Sequence, residues 1–568
     1  MIAAFLVWEH FASMFNSKNF GQLIRFNWKS GLTVALVSIP LSIALAIASG
    51  ATPTQGVITA LWAGLIGAIF GGSHFNIIGP TGALSGILIV FALANGSIYL
   101  PLLAIISGLM ILFAYYFHLD RYIIFIPRSV VHGFTLGVAM IIGLGQLDNI
   151  FGLADVHKTD NNIENIITIF SRISEFQWGT FLIFLIGTVF IFAWNKKFPK
   201  LPGAIVLTAI GIGAAWSQHS GLLPLPNVLT LADKYHDLSG QVFLNVWSSF
   251  SWTILYSKQL WVIAAATAMI SILETLLSGQ IAENMTKVKF NRQKEVFGLG
   301  LANVFSGLAG GIPATAALAR TSLNIKSKAT HKTSAVISSF FIMLIILLLI
   351  NFFQFLPLVV VASILVYVAI SMLEKEHFIY LIENEKTAFW LSVLVAVITV
   401  AEDPIIGIMV GSILALLIFV QNVSKGQTEV LLWKDGKMFE SLLKDDFIKK
   451  SDIHSDLVVY KISGALTYIN MPAHIEAIEK IKSGNIVIIS LRHAYYIDTD
   501  GVKYLEELIG ILKQNGCQVY LSGVNPVIKQ RLQNESFYCK KFEENKIYMR
   551  TYFAVKELYL EKLGKNPA

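Results

Sequence analysis

The chain has 568 residues, 55% of them hydrophobic and 14% charged, with a formal net charge of +7 and a mean hydropathy of +0.64. A soluble fold of this length cannot bury that much apolar side chain, so the composition excludes a water-soluble globular protein and places most of the chain in a bilayer. Both cysteines, Cys517 and Cys539, fall in the polar C-terminal region, which fits a reduced compartment without a structural disulfide.

Residues 1–29 are expected to be a cytoplasmic N-terminal segment. No small-residue cleavage site follows a short apolar stretch there, so the first span is read as the targeting signal. A transport region is predicted over 30–421, where apolar runs long enough to cross hydrocarbon recur. Full spans are predicted near 30–48, 56–71, 100–117, 128–148, 178–194, 203–218, 260–280, 294–310, 331–352, 358–373, 386–401 and 404–421. Two further stretches, IIGPTGALSGIL at 77–88 and GIPATAALARTS at 311–322, place Gly, Pro and Thr deep in apolar sequence. They add short elements near 80–93 and 316–325, giving fourteen in two sets of seven.

Basic residues gather on one side of this arrangement: Lys18, Arg25 and Lys29, then Arg121 and Arg128, then Lys196, Lys197 and Lys200. Lys287, Lys289, Arg292 and Lys294 join them, followed by Lys326, Lys328 and Lys332. The opposite loops, near 149–177 and 220–258, hold acids such as Asp155, Asp160 and Glu164. The basic side is therefore cytoplasmic. The alternation closes only when both short elements count as crossings, and the two halves then run in opposite orientations.

The two short elements carry the functional reading. Backbone left unpaired in hydrocarbon is costly, so broken helices occur only where protein or a wet cavity surrounds them. Pro80 suits the first turn of a helix starting at Thr81, and Pro313 one starting near Thr315. Extended segments, FNII and GGI, lead into them. Each helix then begins mid-membrane with free N–H groups and the positive end of its dipole, and two such ends facing each other make an anion site. The small residues Gly82, Ala83, Ala316 and Ala317 would let an ion approach the backbone. Arg320, a charge within the membrane, is expected to add positive potential there, the alternative being that it snorkels to the cytoplasmic face.

In ATAMISILETLLSGQIAENMTK the residues Thr267, Ser271, Glu274 and Ser278 share one helical face among Ile, Leu and Met. Burial at mid-span disfavours the charged form of Glu274. It is a candidate to carry a proton with the anion, or to hold Na⁺ with Ser278 as a neutral oxygen ligand, or to be a structural carboxylate tied to Arg320 or to a backbone amide. Glu402 and Asp403 fall at a turn between spans and read as solvated.

After Val420 the composition changes. Residues 422–455 are polar and charged, a linker with a strand at 428–433. From 456 to 568 strands (DLVVYKIS, NIVIISL, CQVYLSG) alternate with helices (PAHIEAIEKIKS, DGVKYLEELIGILKQNG, NPVIKQRLQ), which reads as a cytoplasmic α/β domain.

Six segments in order carry a family resemblance: SGLTVALVSIPLSIALAIASG, GPTGALSG, FIPRSVVHGFTLGVAMIIGLGQLDNIFGL, ISILETLLSGQIAENMT, GGIPATAALARTSLNI and NIVIISLRHAYYIDTDGVKYLEEL. The chain resembles the SulP family of anion transporters, called SLC26 in animals, and its tail resembles a STAS domain. The resemblance implies a 7+7 inverted-repeat membrane fold with core and gate domains, an elevator-like motion and a homodimer. It implies an anion between the third and tenth helices, at Thr81, Gly82, Ala83, Ala317, Ala319 and Arg320, with the acid at Glu274 linked to proton or sodium coupling. Two departures stand out. Leu41 follows Pro40 where many members have Gln or Glu, leaving Ser38 and Ser42 as weaker polar candidates. Leu318 stands near a Thr of sodium–bicarbonate members and offers no oxygen. In IDTDG, Thr499 takes the place of a phosphorylatable Ser, although Asp498 and Thr499 also suit a helix cap.

The expectation is a secondary active transporter of a small oxyanion in a bacterial inner membrane, with both termini cytoplasmic. Sulfate by proton symport leads, with bicarbonate or a dicarboxylate such as fumarate as alternatives. A membrane-anchored STAS signalling protein is the reading from another class. No zinc-spaced Cys/His cluster and no GxxxxGK[ST] loop is found, so no enzyme, cofactor or nucleic-acid role is expected.

Overall fold

The structure is a computed structural model. It describes residues 20–118, 127–153, 156, 159, 162–198, 202–220, 228–235, 241–245, 250–373, 375–402, 404–424, 428–434, 437–442, 457–478, 486–534 and 546–563. Lys18, Arg121, Asp155, Asp160, Lys200, Asp403 and Cys539 lie outside these, as do residues 1–19 and 443–456. The described chain divides into two compact units, 1–414 and 415–568.

The first unit is helical. Its first half comprises α1 (Phe20–Ala48), α2 (Pro53–Phe70), the two-residue strand β1 (Ile78–Gly79), α3 (Gly82–Asn95), α4 (Leu100–Tyr116), α5 (Arg128–Leu144), α6 (Leu147–Phe151), α7 (Asn162–Ser171), α8 (Trp178–Lys197), α9 (Gly203–His219) and α10 (Leu231–Lys234). Its second half comprises α11 (Lys258–Thr286), α12 (Arg292–Leu308), β2 (Thr315–Ala316), α13 (Leu318–Lys326), α14 (Thr333–Phe353), α15 (Leu358–Met372), α16 (Lys375–Asn384), α17 (Lys386–Ala401) and α18 (Pro404–Ser424). Among the described residues, nine helical stretches are long and apolar enough to cross a membrane, while Gly82–Asn95 and Lys386–Ala401 are shorter apolar helices. Local sequence sets the helix starts. Thr52 and Gln55 close a capping box with Pro53 in the first turn of α2, and Asn291 caps α12 by accepting from the Lys294 N–H.

Packing is symmetric on exchange of the halves. α4 packs on α12 as α14 packs on α2, and α1 on α14 as α11 on α4. Likewise α5 meets α17 as α15 meets α8, and α1 touches α13 as α11 touches α3. The pairs α2–α12 and α5–α15 map onto themselves. This is the signature of two structural repeats related by a two-fold axis.

In the second unit a six-stranded sheet has the order β4-β3-β5-β6-β7-β8. Its strands are β3 (Thr428–Lys434), β4 (Lys437–Leu442), β5 (Leu457–Leu466), β6 (Ile486–Ile497), β7 (Gln518–Ser522) and β8 (Ile547–Tyr548), and its helices are α19 (Met471–Ile478), α20 (Thr499–Gln514), α21 (Pro526–Asn534) and α22 (Thr551–Leu563). Strands β5 to β8 are parallel. Alternate residues face opposite sides: Val458, Tyr460, Val487, Ile489, Val519 and Leu521 pack with α19, α20 and α21, while Leu457, Val459, Ile486, Ile488 and Tyr520 pack with Ala554 and Leu558 of α22. The sheet starts earlier than the composition indicates. The expected linker strand pairs antiparallel with β4 on one side and with β5 on the other, so Thr428 already belongs to the sheet. Asp498 caps α20 by accepting from the Gly501 N–H at 2.6 Å, and Arg531 donates to Thr499 Oγ1 at 2.6 Å.

His474 is buried in this unit, with its Nδ1 2.9 Å from Tyr460 Oη, and burial pushes its imidazole down to about 4. The unfolded chain takes up that proton near pH 6.5, so stability is complete above 6.5 and is lost as pH falls toward 4. We expect a loss of about 2 kcal/mol by pH 5, read as faster amide exchange in β5 and β6 after correction for intrinsic rates, and a much flatter pH profile in His474→Gln.

Candidate functional site

The site begins with two chain breaks. Between α2 and α3 the segment 71–77 runs without regular structure, held by side chains. Glu295 of α12 accepts from the N–H groups of Gly72 and Ser73 and from Asn76 Nδ2, each at 2.7 Å. Asn324 Nδ2 donates to Phe75 O at 3.0 Å, and the Ile77 N–H donates to Thr321 Oγ1 at 3.2 Å. Lys332 Nζ donates to Ile69 O at 3.0 Å. The equivalent segment before α13 is held the same way. Thr59 Oγ1 accepts from the Ile312 N–H at 2.7 Å, and Ser306 Oγ donates to Ile312 O at 2.8 Å. Asn303 accepts from the Ala314 N–H at 2.8 Å and donates to Ala314 O at 2.9 Å, standing in for a neighbouring strand. Backbone groups that a helix would have satisfied are thus satisfied by side chains.

The two segments meet as β1 and β2, antiparallel, with Ile78 opposite Ala316 and Gly79 opposite Thr315. Antiparallel pairing sends α3 and α13 away in opposite directions from adjacent starts. Their caps, Thr81 and Ala317, are extended and make no side-chain cap bond. The first-turn N–H groups of both helices therefore face the junction without a capping side chain. Thr81, Gly82 and Ala83 are buried, whereas Leu318 and Ala319 are exposed.

One expectation is corrected here. α13 starts at Leu318, not near Thr315, so Pro313 lies in the extended lead-in and not in the first helical turn. The pins on Ile312 and Ala314 hold this stretch extended. As a consequence, the Ala316 N–H is taken by Thr275 Oγ1 (3.1 Å) and the Ala317 N–H by Ile77 O (3.1 Å). Neither is open to an ion, and the donors on this side shift to Leu318, Ala319 and Arg320.

Arg320 does not snorkel. It is 1% exposed, and its guanidinium donates to Pro80 O and, at 3.4 Å, to Ser42 Oγ. Its Nε has no hydrogen-bond partner among the described residues. It makes no ion pair with Glu274 or with another described carboxylate, so the alternative of a structural Arg320–Glu274 pair is not what the fold builds. Gly79 allows this close approach, since a Cβ there would lie 2.6 Å from Arg320 Nη1. Thr81 Oγ1 donates to Glu274 Oε2 at 3.4 Å instead of capping its helix. Glu274 otherwise faces a narrow crevice walled by Phe134, Thr135, Met269, Ile270 and Leu273.

The fold therefore brings Ser42, Thr81, Gly82, Ala83, Ala319, Arg320 and Glu274 around one junction. Ser278 is not among them: its hydroxyl donates to Asn76 Oδ1 at 3.1 Å and lies 3.0 Å from Thr321 Oγ1, so it supports the lead-in. Glu295, Asn303 and Thr59 were not singled out from the sequence. A polar residue inside an apolar span was the available signal for Asn303 and Thr59. Glu295 was masked by the basic loop that precedes it.

The family model for the sulfate permease family matches residues 26–397. The chain belongs to the sulfate permease family. A second model, for the STAS domain, matches residues 449–553. YvdB of Bacillus subtilis, named provisionally as a sulfate transporter, is 28% identical over 90% of this chain and 93% of its own. The bicarbonate transporter BicA of Picosynechococcus is 27% identical over 72% of each chain. In solved structures, SLC26A9 superposes with a TM-score of 0.75 at 15% identity, covering 95% of this chain and 92% of its own. The transmembrane domain of BicA gives 0.60 at 22% identity, covering 68% and 97%. This sulfate permease family member is thus a multi-pass anion transporter with a helical transporter fold and a STAS domain, not an enzyme.

The pins generate a prediction. Glu295→Ala strands three donors, two of them buried, and we expect it to cost about 3 kcal/mol, read as a lower melting temperature in detergent, with Glu295→Gln losing less.

Proposed function

We propose that this chain is a secondary active transporter that moves a small inorganic anion, sulfate first, together with a proton. The anion sits between the starts of α3 and α13, contacted by first-turn N–H groups of Thr81–Ala83 and Leu318–Arg320 and by the guanidinium of Arg320, with Ser42 beside it. The observation that carries this reading is the pair of uncapped helix starts facing one junction next to a buried arginine that has no carboxylate partner among the described residues. Such a junction has a positive potential suited to a negative ion.

Glu274 is the coupling group. A hard cation is held by a shell of oxygens, but among the described residues Thr81 Oγ1 is the one side-chain oxygen bonded to Glu274 and the adjoining crevice is mostly apolar. That supports a proton over sodium. The fourteen helical segments are taken as crossings, with elevator-type alternating access between the repeats. The protein is placed in a bacterial inner membrane with cytoplasmic termini, as a homodimer. Bicarbonate is the second reading, supported by a bicarbonate transporter 27% identical over 72% of this chain, against 28% over 90% for the sulfate-named relative; a dicarboxylate or a purely signalling role has no comparable support.

The test is uptake of labelled sulfate, bicarbonate and fumarate into proteoliposomes, each with and without a pH or sodium gradient. The expected result is sulfate uptake driven by an inward proton gradient. Arg320→Ala should reduce it roughly 10- to 100-fold, and Glu274→Gln should abolish the response to the proton gradient while the protein elutes as the wild type. Full uptake in both variants overturns the assignment.

A further inference from the structure

A second cavity, with apolar walls and a few polar side chains, lies near the junction. It encloses about 140 Å³, room for several waters or one small oxyanion. Ile89 and Leu93 of α3 form one wall; Ile142, Gln146, Asn149 and Lys234 form the other. Ile89 is about 10 Å along α3 from Gly82, so the helix that starts at the candidate anion site also walls this cavity. Ile142 touches both places. It lines the cavity, and its Cδ1 lies 3.2 Å from the point where a Cβ on Gly82 would be. Ile142 therefore reaches from the cavity to the start of α3, where the Met372 Sδ lies closer still, 2.7 Å from the same point.

Lys234 puts an ammonium at the cavity, with the carboxylate of Asp148 close to it. Lys234 is held there by backbone pairing of its segment with the start of α15. The N–H groups of Leu231 and Ala232 donate to Leu356 O and Gln354 O, and that of Leu358 donates to Leu229 O. Lys234 Nζ lies 3.9 Å from Asp148 Oδ2. The Asp148 side chain is 4% exposed and is not among the residues lining the cavity, while that of Lys234 is 44% exposed. Asn149 Nδ2 donates to Gln146 Oε1 at 3.0 Å, fixing the carboxamides beside it. The segment belongs to the loop 220–258, which the charge pattern puts on the non-cytoplasmic side.

We propose that this cavity is an outer vestibule that takes up the same small oxyanion before it reaches the junction, with Lys234 as the collecting charge and Ile142 as the plug between the two. The proposal rests on the transport reading. Asp148 weakens the hold of Lys234, which suits a site that must pass its ion on.

The experiment measures KM for the transported anion, among sulfate, bicarbonate and fumarate, on each membrane face, using right-side-out cells and inverted vesicles. Lys234→Gln should raise the outer-face KM about fivefold relative to the inner-face value, and Lys234→Arg should restore it. Asp148→Asn should shift the outer-face KM the opposite way. Ile142→Ala should increase downhill anion leak. An unchanged outer KM in Lys234→Gln, equal shifts on both faces, shifts of one sign in Lys234→Gln and Asp148→Asn, or an unchanged leak overturns the vestibule. A wild-type chain that moves none of the three anions removes the transport reading and the vestibule with it.

Discussion

Everything at the centre of this molecule depends on two residue pairs, Ile78 with Ala316 and Gly79 with Thr315. Inside a bilayer a chain segment may leave the helical state only if other groups take up its hydrogen bonds. The two lead-ins solve that problem for each other, and their antiparallel pairing fixes the consequence. Two helices must start side by side and depart in opposite directions. The symmetric packing of the halves is the same relation extended to the surrounding helices.

The side chains around this pair divide the work. Glu295, Asn303, Thr59 and Asn324 bind backbone groups and keep the lead-ins extended. Arg320 ties the start of one half-helix to the lead-in of the other through Pro80 O and to α1 through Ser42. Thr81 spends its hydroxyl on Glu274, not on its own helix, so the start of α3 stays open and the acid is coupled to it. A change in the charge of Glu274 would be felt one bond away from the α3 N-terminus, which is what coupling an ion to a proton requires.

Much of the fold was legible. Apolar run length, and Gly and Pro between runs, marked segments that overlap α1 to α5, α8, α9, α11 to α15, α17 and α18, although α1 begins at Phe20, ten residues before the expected start. The paired stretches were legible because Gly and Pro at equivalent places in two apolar halves are hard to explain as kinks. The register of the second stretch was not. Pro313 reads as a helix opener, and only the Asn303 and Thr59 bonds, from residues 10 and 254 positions before Pro313, reveal an extended chain there. Ser278 shares a helical face with Glu274 by spacing, yet one turn suffices to place its hydroxyl on Asn76. Long-range side-chain-to-backbone bonds leave no periodic trace, so the residues that brace the site stay hidden while those that open it are visible. In the second unit the β3–β4 hairpin was missed as a sheet element because its partner strand β5 begins after a polar stretch.

The most direct measurement is anomalous diffraction from crystals of the full chain grown with selenate, an oxyanion of the charge and shape of sulfate. The account predicts a selenium peak between the first turns of α3 and α13, within hydrogen-bond reach of their N–H groups and beside the Arg320 guanidinium. Selenate bound elsewhere in the helical unit with this junction empty, or helices whose starts have moved apart around no ion at saturating selenate, would contradict it.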